Sequence, residues 1–299
     1  MLADVRRWFF WRRAENTQSR QHKWVIEPVR EGFFARVQEF WRYRRILWFL
    51  SVQAVKGTYQ GMTLGPLWLL VRPFLPILIN TMVFGGLLKV SSDGIPYFLF
   101  FCAGHSCWYV FERSLLMTTR SLDRNRGIIK KVYFPRVIAP VSSVAIALTF
   151  FAAFIGMLLL GSLYYLWKDG VWYLRVGPEL LIAPLCTMLS LVLAIGVGLV
   201  TSIWQLRVKE MRYTIRYFSH FWSYATPVIW SLSQLPPQHR WLIYANPMVP
   251  IVATYKWALF GTGEFLLFPL LVSCGSIFLV LLVGLWYFSW AEGAAIDKM

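Results

Sequence analysis

The sequence predicts an all-α integral membrane protein with six transmembrane helices, and three observations lead there. Of 299 residues, 58% are hydrophobic and only 15% charged, too little polarity to cover a soluble core of this length. Several continuous apolar runs exceed the roughly 20 residues a helix needs to cross hydrocarbon. These runs lack the short alternating pattern of a membrane barrel.

The spans are expected at about 64–88, 95–117, 137–167, 178–204, 215–232 and 265–290, the fifth being the least apolar. Their number and direction follow from the basic residues. Twelve Lys/Arg lie in residues 1–63, six in 118–136, four in 205–216 and one at Lys298, all on one side of a six-span chain. The other side carries five: Lys89, Lys168, Arg175, Arg240 and Lys256. The positive-inside rule makes the first side cytoplasmic, with both termini there. The formal charge of +16 is therefore a topology signal and implies no nucleic-acid partner.

Segment 1–30 is basic and cytoplasmic, without the apolar core and cleavage site of a removable signal peptide. In 31–63, Phe33, Phe34, Val37, Phe40 and Trp41 recur at helical spacing opposite Arg36, Glu39, Arg42 and Arg45. This amphipathic helix either lies in the membrane interface or packs on a cytosolic protein. The connection 121–134 sets Leu122, Ile128, Ile129 and Val132 among basic residues, with Ser121 placed as an N-cap and Pro135 as a stop. In 236–262, Pro236-Pro237 and Asn246-Pro247 precede an apolar run from Ile251 to Phe260 closed by Gly261. Ten apolar residues cannot span, so a short helix is expected at the outer face or dipping into it. Residues 291–299 form a cytoplasmic tail.

No lysine is followed by Ser or Thr, which excludes a phosphate-cradling P-loop. No acidic residue falls at the centre of a span, unlike proton-coupled carriers. His105 and His220 lack a second ligand or partner acid and read as packing residues, and the four cysteines as small apolar ones. Neither catalytic residues nor a metal site are expected. Arg72, about two turns into the first span, either snorkels to the interface or contacts an anionic headgroup through its forked guanidinium. Arg113 is expected to snorkel. Trp68, Trp108, Tyr109, Trp222 and Tyr224 lie within spans, where an apolar face with a polar tip suits either packing or the lining of a sugar passage.

The runs Val55-Lys56-Gly57-Thr58-Tyr59, Thr63-Leu64-Gly65-Pro66-Leu67-Trp68, Arg72-Pro73-Phe74 and Val83-Phe84-Gly85 resemble the first-span signature of ABC-2 type polysaccharide-export permeases. Lys130-Lys131-Val132-Tyr133-Phe134-Pro135-Arg136 is similar to the signature after their second span. Asn246-Pro247-Met248 through Tyr255-Lys256-Trp257-Ala258-Leu259 is similar to the segment before their last. The resemblance, over about 30–290, implies the ABC-2 exporter fold and export of a lipid-linked polysaccharide such as O-antigen, capsule or teichoic acid. It implies a homodimer in a bacterial inner (plasma) membrane, bound to two copies of a separate ABC subunit that carries the ATP and Mg, so that no cofactor binds this chain. It makes 31–63 an interface helix and 236–262 external gate helices. It makes 121–134 a coupling helix meeting the ATPase through Arg124, Arg126, Ile128, Lys130, Lys131 and Tyr133. Gln53-Ala54 before Lys56, Thr58-Tyr59 after it, and Gly104-His105-Ser106-Cys107-Trp108 depart from the family pattern. The other functions open to such a chain are an ABC-2 exporter of drugs or lipids, or a membrane enzyme acting on lipid-linked sugars. Neighbouring ATPase and glycosyltransferase genes would favour polysaccharide export.

Overall fold

The computed structural model describes residues 33–60 and 67–296. The expectations for 1–30, the start of the interface helix, the Thr63–Pro66 part of the first motif and Lys298 lie outside these residues. The chain divides into two units, Met1–Glu39 and Phe40–Met299. The described residues of the first, 33–39, are helical and open α1 (Phe33–Arg42). Everything below concerns the second.

Four helical stretches are long and apolar enough to cross a membrane: Trp68–Leu87, Ile138–Asp169, Pro178–Arg207 and Leu267–Gly293. They correspond to the first, third, fourth and sixth expected spans. The first is α3 (Trp68–Asn80) running on into a π-helical stretch, Thr81–Leu87. There the Leu88 amide reaches back to the Val83 carbonyl, the wider spacing typical of π-bulges. The third is α7 (Ile138–Ser143) and α8 (Ala145–Asp169), joined at Val144. The fourth is α9 (Ile182–Arg207) and the last α13 (Leu267–Ile296).

The second expected span is α4 (Tyr97–Thr119), whose 23 residues make about 35 Å of helix. Its length suffices, but Ser106, Glu112, Arg113 and Ser114 dilute its apolarity. The reason is its surroundings: most of α4 is buried, against α8, α9 and α12 (Met248–Phe260). Its polar groups therefore meet protein. Ser106 Oγ lies 3.1 Å from the Tyr255 hydroxyl, and Thr119 Oγ1 2.7 Å from Thr201 Oγ1 on α9.

The fifth expected span differs most. Helix α10 (Met211–Tyr224) has 14 residues, about 21 Å, short of the roughly 30 Å of hydrocarbon. From 225 the chain is unwound rather than helical. Pro227 has no amide to donate, so the ladder cannot continue through it.

The remaining elements sit at the two ends. Helix α2 (Arg44–Tyr59) is separated from α1 at Tyr43, so the amphipathic region is two helices rather than one. The connection 121–134 forms two single turns, α5 (Ser121–Arg124) and α6 (Arg126–Ile129). Ser121 does not cap them: its hydroxyl donates back to the Thr118 carbonyl at 2.7 Å. At the opposite end, α11 (Leu242–Ala245) leads into α12. Helix α12 closes on Gly261 at φ 72°, a left-handed conformation that glycine adopts without a Cβ penalty.

Helices α9 and α13 approach closely at Gly196 and Gly284. A Cβ on Gly196 would come within 3.0 Å of the Leu281 amide nitrogen, and one on Gly284 would strike the Gly196 carbonyl. Small residues at such crossings let backbones pack without intervening side chains.

Candidate functional site

Two constructions stand out, one at each end of the helices. The first is the elbow formed by α5 and α6. Asn125, at φ −96° and ψ 12°, breaks the helix, and its amide Nδ2 donates to the Ser121 carbonyl at 2.8 Å. The elbow is wedged on two sides. Leu122 is fully buried among Ala139, Leu199, Ile203, Phe288 and Ala291. Ile128 and Ile129 pack toward Leu50, Phe134 and Ile138, beside α2. Between these anchors Arg124, Arg126, Lys130, Lys131 and Tyr133 stand exposed, Tyr133 at 79% of its surface.

Although much of Arg124 is exposed, desolvation of the part covered by protein, and then the charges of Arg120 and Arg113, push its guanidinium down from its ordinary value. Its Nη1 donates to the soft Met117 sulfur at 3.8 Å. Cations crowded this way favour an acidic partner surface. Ile128, expected among the coupling residues, is half-buried, and the part of it that packs inward joins the elbow to the bundle.

The second construction is the unwound segment 225–231, which leads into a single 3-10 turn at Leu232–Gln234. Backbone that has left a helix inside a bundle needs other partners for its carbonyls, and here three elements supply them. Asn246 Nδ2 donates to the Ala225 carbonyl at 3.2 Å. Lys256 Nζ, from α12, donates to Pro227 at 2.7 Å and Val228 at 3.1 Å. The Tyr97 hydroxyl, from α4, donates to Ile229 at 2.7 Å. Ser231 and Ser233 both donate to the Asp93 carboxylate, the latter at 2.8 Å. Asp93 itself stands at φ 55°, an uncommon conformation that Asp tolerates better than most residues.

The aromatic residues separate into two groups. Trp108 is 1% exposed and packs edge-on to Trp222, ring centres 6.1 Å apart. It is enclosed by protein and has no face left to line a passage. Tyr109 is half-buried against Phe150 and Phe154. Trp222 donates its indole N–H to Asn246 Oδ1 at 3.0 Å. Tyr224 is exposed on α10, edge-on to the His220 ring. Exposed Tyr213, Tyr217, Phe218 and Phe221 continue that face. Arg72 is exposed, its guanidinium 5.8 Å over the Trp68 ring one turn earlier, a cation–π pair. The structure thus brings Arg72 to Trp68 and Trp108 to Trp222, but does not gather all six into one lining. Arg113 lies 5.6 Å over the Phe150 ring, with its Nε buried and without a hydrogen-bond partner. His105 stacks on Phe101. Among the described residues no group of three His, Cys, Asp or Glu could hold a metal ion.

Sequence reasoning missed Lys256, which counted as one loop charge among five. The signal was a lone lysine inside the apolar run 251–260.

The fold and these two constructions define a multi-pass α-helical membrane protein with a basic elbow at one end and a cross-braced, unwound segment at the other. The chain is similar to O-antigen export permeases. It is 28% identical over 223 residues to the O-antigen export system permease protein RfbA of Myxococcus xanthus, covering 74% of this chain and 82% of that protein. Two proteins of the same name from Klebsiella pneumoniae are each 24% identical, over 211 and 217 residues, covering 71% of this chain and 78% of theirs. No protein-family model matches the chain.

Proposed function

We propose that this chain is the membrane-spanning permease subunit of an ATP-driven exporter of a lipid-linked, O-antigen-like polysaccharide. The observation that carries the reading is the likeness to O-antigen export permeases over about three quarters of the chain. Two features agree with it. The sequence lacks a P-loop, so the chain needs a nucleotide-hydrolysing companion. The elbow offers exposed cations on an apolar wedge, which suits docking of such a companion.

In this reading α4 and α10 complete six passages, α10 together with the unwound segment behind it. The basic elbow and both termini face the cytoplasm of a bacterial inner membrane. Segment 236–262 guards the outer face. The subunit works as a homodimer with two ATP-binding partners, and the exposed α10 face and the Trp68–Arg72 pair border the path of the glycan and its anionic headgroup. Tyrosine and tryptophan tips can bond to hydroxyls that would otherwise cost roughly 2–7 kcal/mol each in hydrocarbon.

The test is co-purification with a candidate ATP-binding ABC protein from the same cells, reconstitution into vesicles, and measurement of labelled glycan-lipid export. Export that requires both proteins and ATP, with hydrolysis stimulated by the glycan-lipid, is expected. Export by this chain alone, or a complex indifferent to glycan, would overturn the reading.

A further inference from the structure

Lys256 is buried yet ends in a polar amine. Among the described residues the ion pairs are Arg175–Glu179 and Arg240–Glu264, so Lys256 pairs with no carboxylate there. Its Nζ is held by the carbonyls of Pro227 and Val228 and lies 3.4 Å from the centre of the Phe100 ring. An apolar side chain of equal length would fill the space without desolvating a polar group. A hydrogen-bond donor here makes sense for what it grips, two carbonyls of a segment that has lost its helical partners.

The seat for this grip is cut into α4. At Gly104 a Cβ would fall 2.6 Å from Lys256 Cε, 2.9 Å from the Val228 carbonyl oxygen and 3.0 Å from Nζ. Only glycine leaves room for the lysine and the carbonyl together. Phe100, one turn earlier on the same helix, supplies the ring. Three elements therefore meet at one atom: α4 through its notch, the unwound segment through its carbonyls, and α12 through the lysine.

Beside the seat is a cavity bordered by Asp93, Trp230, Ser231, Thr262 and Glu264. It offers the four-carbon lysine stem a second resting place, near two carboxylates. A group with two places to sit can hold or release.

We propose that Lys256 is a built-in latch: seated in the Gly104 notch, its Nζ clamps segment 225–231 against α4 and α12, and its withdrawal toward the Asp93 side frees that segment. That the release occurs during export rests on the proposed function; the clamp itself does not.

The experiment uses Val228→Cys as reporter, since Val228 is 2% exposed and its carbonyl is retained. The full chain, reconstituted by itself in vesicles, is treated with a membrane-impermeant maleimide. Labelling of the native cysteines is subtracted. Against the slow labelling of the reporter alone, Lys256→Met and Gly104→Ala should each raise the rate tenfold or more. The double variant should not exceed the faster single one, because both remove the same clamp. An unchanged rate in either variant, or effects that multiply, would overturn the latch. Should Lys256→Met not accumulate, Gly104→Ala, which leaves the lysine chemically intact, decides alone. No step requires transport, so a chain that exports something else would still pass or fail on the latch itself.

Discussion

The elbow makes a prediction that separates docking from transmission. Leu122 is fully buried among residues of α7, α9 and α13, whereas Arg126, Lys130 and Lys131 are exposed. Leu122→Ala removes a core side chain and leaves a cavity, at a cost of about 2–5 kcal/mol. That energy holds the elbow in one pose. Every 1.4 kcal/mol lost admits alternative poses tenfold more often, so a push on the elbow would be spent in local movement. The three cations act differently. Reversing an exposed charge removes about 0.2–1 kcal/mol of attraction and substitutes comparable repulsion. The triple change to Glu should therefore cost about 1–6 kcal/mol of association, smaller at high salt. Both variants can be read in vesicles by titrating the ATP-binding partner and counting glycans exported per ATP. Leu122→Ala should keep the partner's Kd within about twofold and lower export per ATP at least tenfold. The triple charge reversal should raise Kd about fivefold or more and recover when partner is added in excess. If Leu122→Ala weakens docking as much as the charge reversal, or the reversal leaves Kd unchanged, the division of labour is wrong.

Other parts of the structure make further predictions. Gly284→Ala places a methyl group on the Gly196 carbonyl and should destabilise by about 1–3 kcal/mol, seen as a lower midpoint of thermal aggregation in detergent. Gly293→Ala, where a Cβ meets nothing within 4 Å, should leave it unchanged, and equal shifts would refute the crossing. Asn246→Ala strands the Trp222 indole N–H and the Met248 amide, both 3.0 Å from Oδ1, at about 1–3 kcal/mol for each buried group. The same melting assay should register it as more harmful than Tyr97→Phe, which removes one bond. For orientation, Tyr133→Cys should react with an impermeant thiol reagent only from the cytoplasmic side and Ser233→Cys only from outside. Reaction of both from one side would contradict the assigned topology.

What could be read from the sequence, and what could not, divides along a physical line. Continuous apolar runs flanked by basic loops are local signals, and the long helices 68–87, 138–169, 178–207 and 267–293 lie where those signals place them. The close of α12 at Gly261 was equally local. The unwinding at 225–231 was not legible, because Ala-Thr-Pro-Val-Ile-Trp-Ser reads as the end of a span. Only Pro227 hinted otherwise, and the donors that make the unwound path tolerable come from Tyr97, Asn246 and Lys256, far away in sequence. Trp108 carried the same ambiguity: an aromatic in a span can face a passage or a neighbour, and Trp222, 114 residues later, settles it by packing edge-on. The elbow was visible as a basic connection with apolar residues in it, but its wedge depends on Phe288 and Leu199 closing over Leu122.

The polar character of α4 follows from the same geometry and suggests why it is kept. Near its start α4 holds the braced segment through Tyr97, Phe100 and Gly104. At its end, Thr119 is bonded to Thr201, and Ser121 and Leu122 enter the elbow directly. A single rigid helix therefore joins both constructions, with fewer flexible joints than any route through the loops. Coupling between distant sites requires an element whose position both ends bias, and α4 meets that condition by its attachments. A purely apolar α4 would lose the Tyr97 bond at one end and the Thr119 bond at the other. Ser106 shows the difference, since its hydroxyl reaches Tyr255 on α12, one residue before the lysine that seats in the notch. Displacing α4 must therefore move or break the α12 contacts, and a rearrangement at the elbow that left Lys256 in place would have to bend a helix with no proline or π-bulge along its 23 residues.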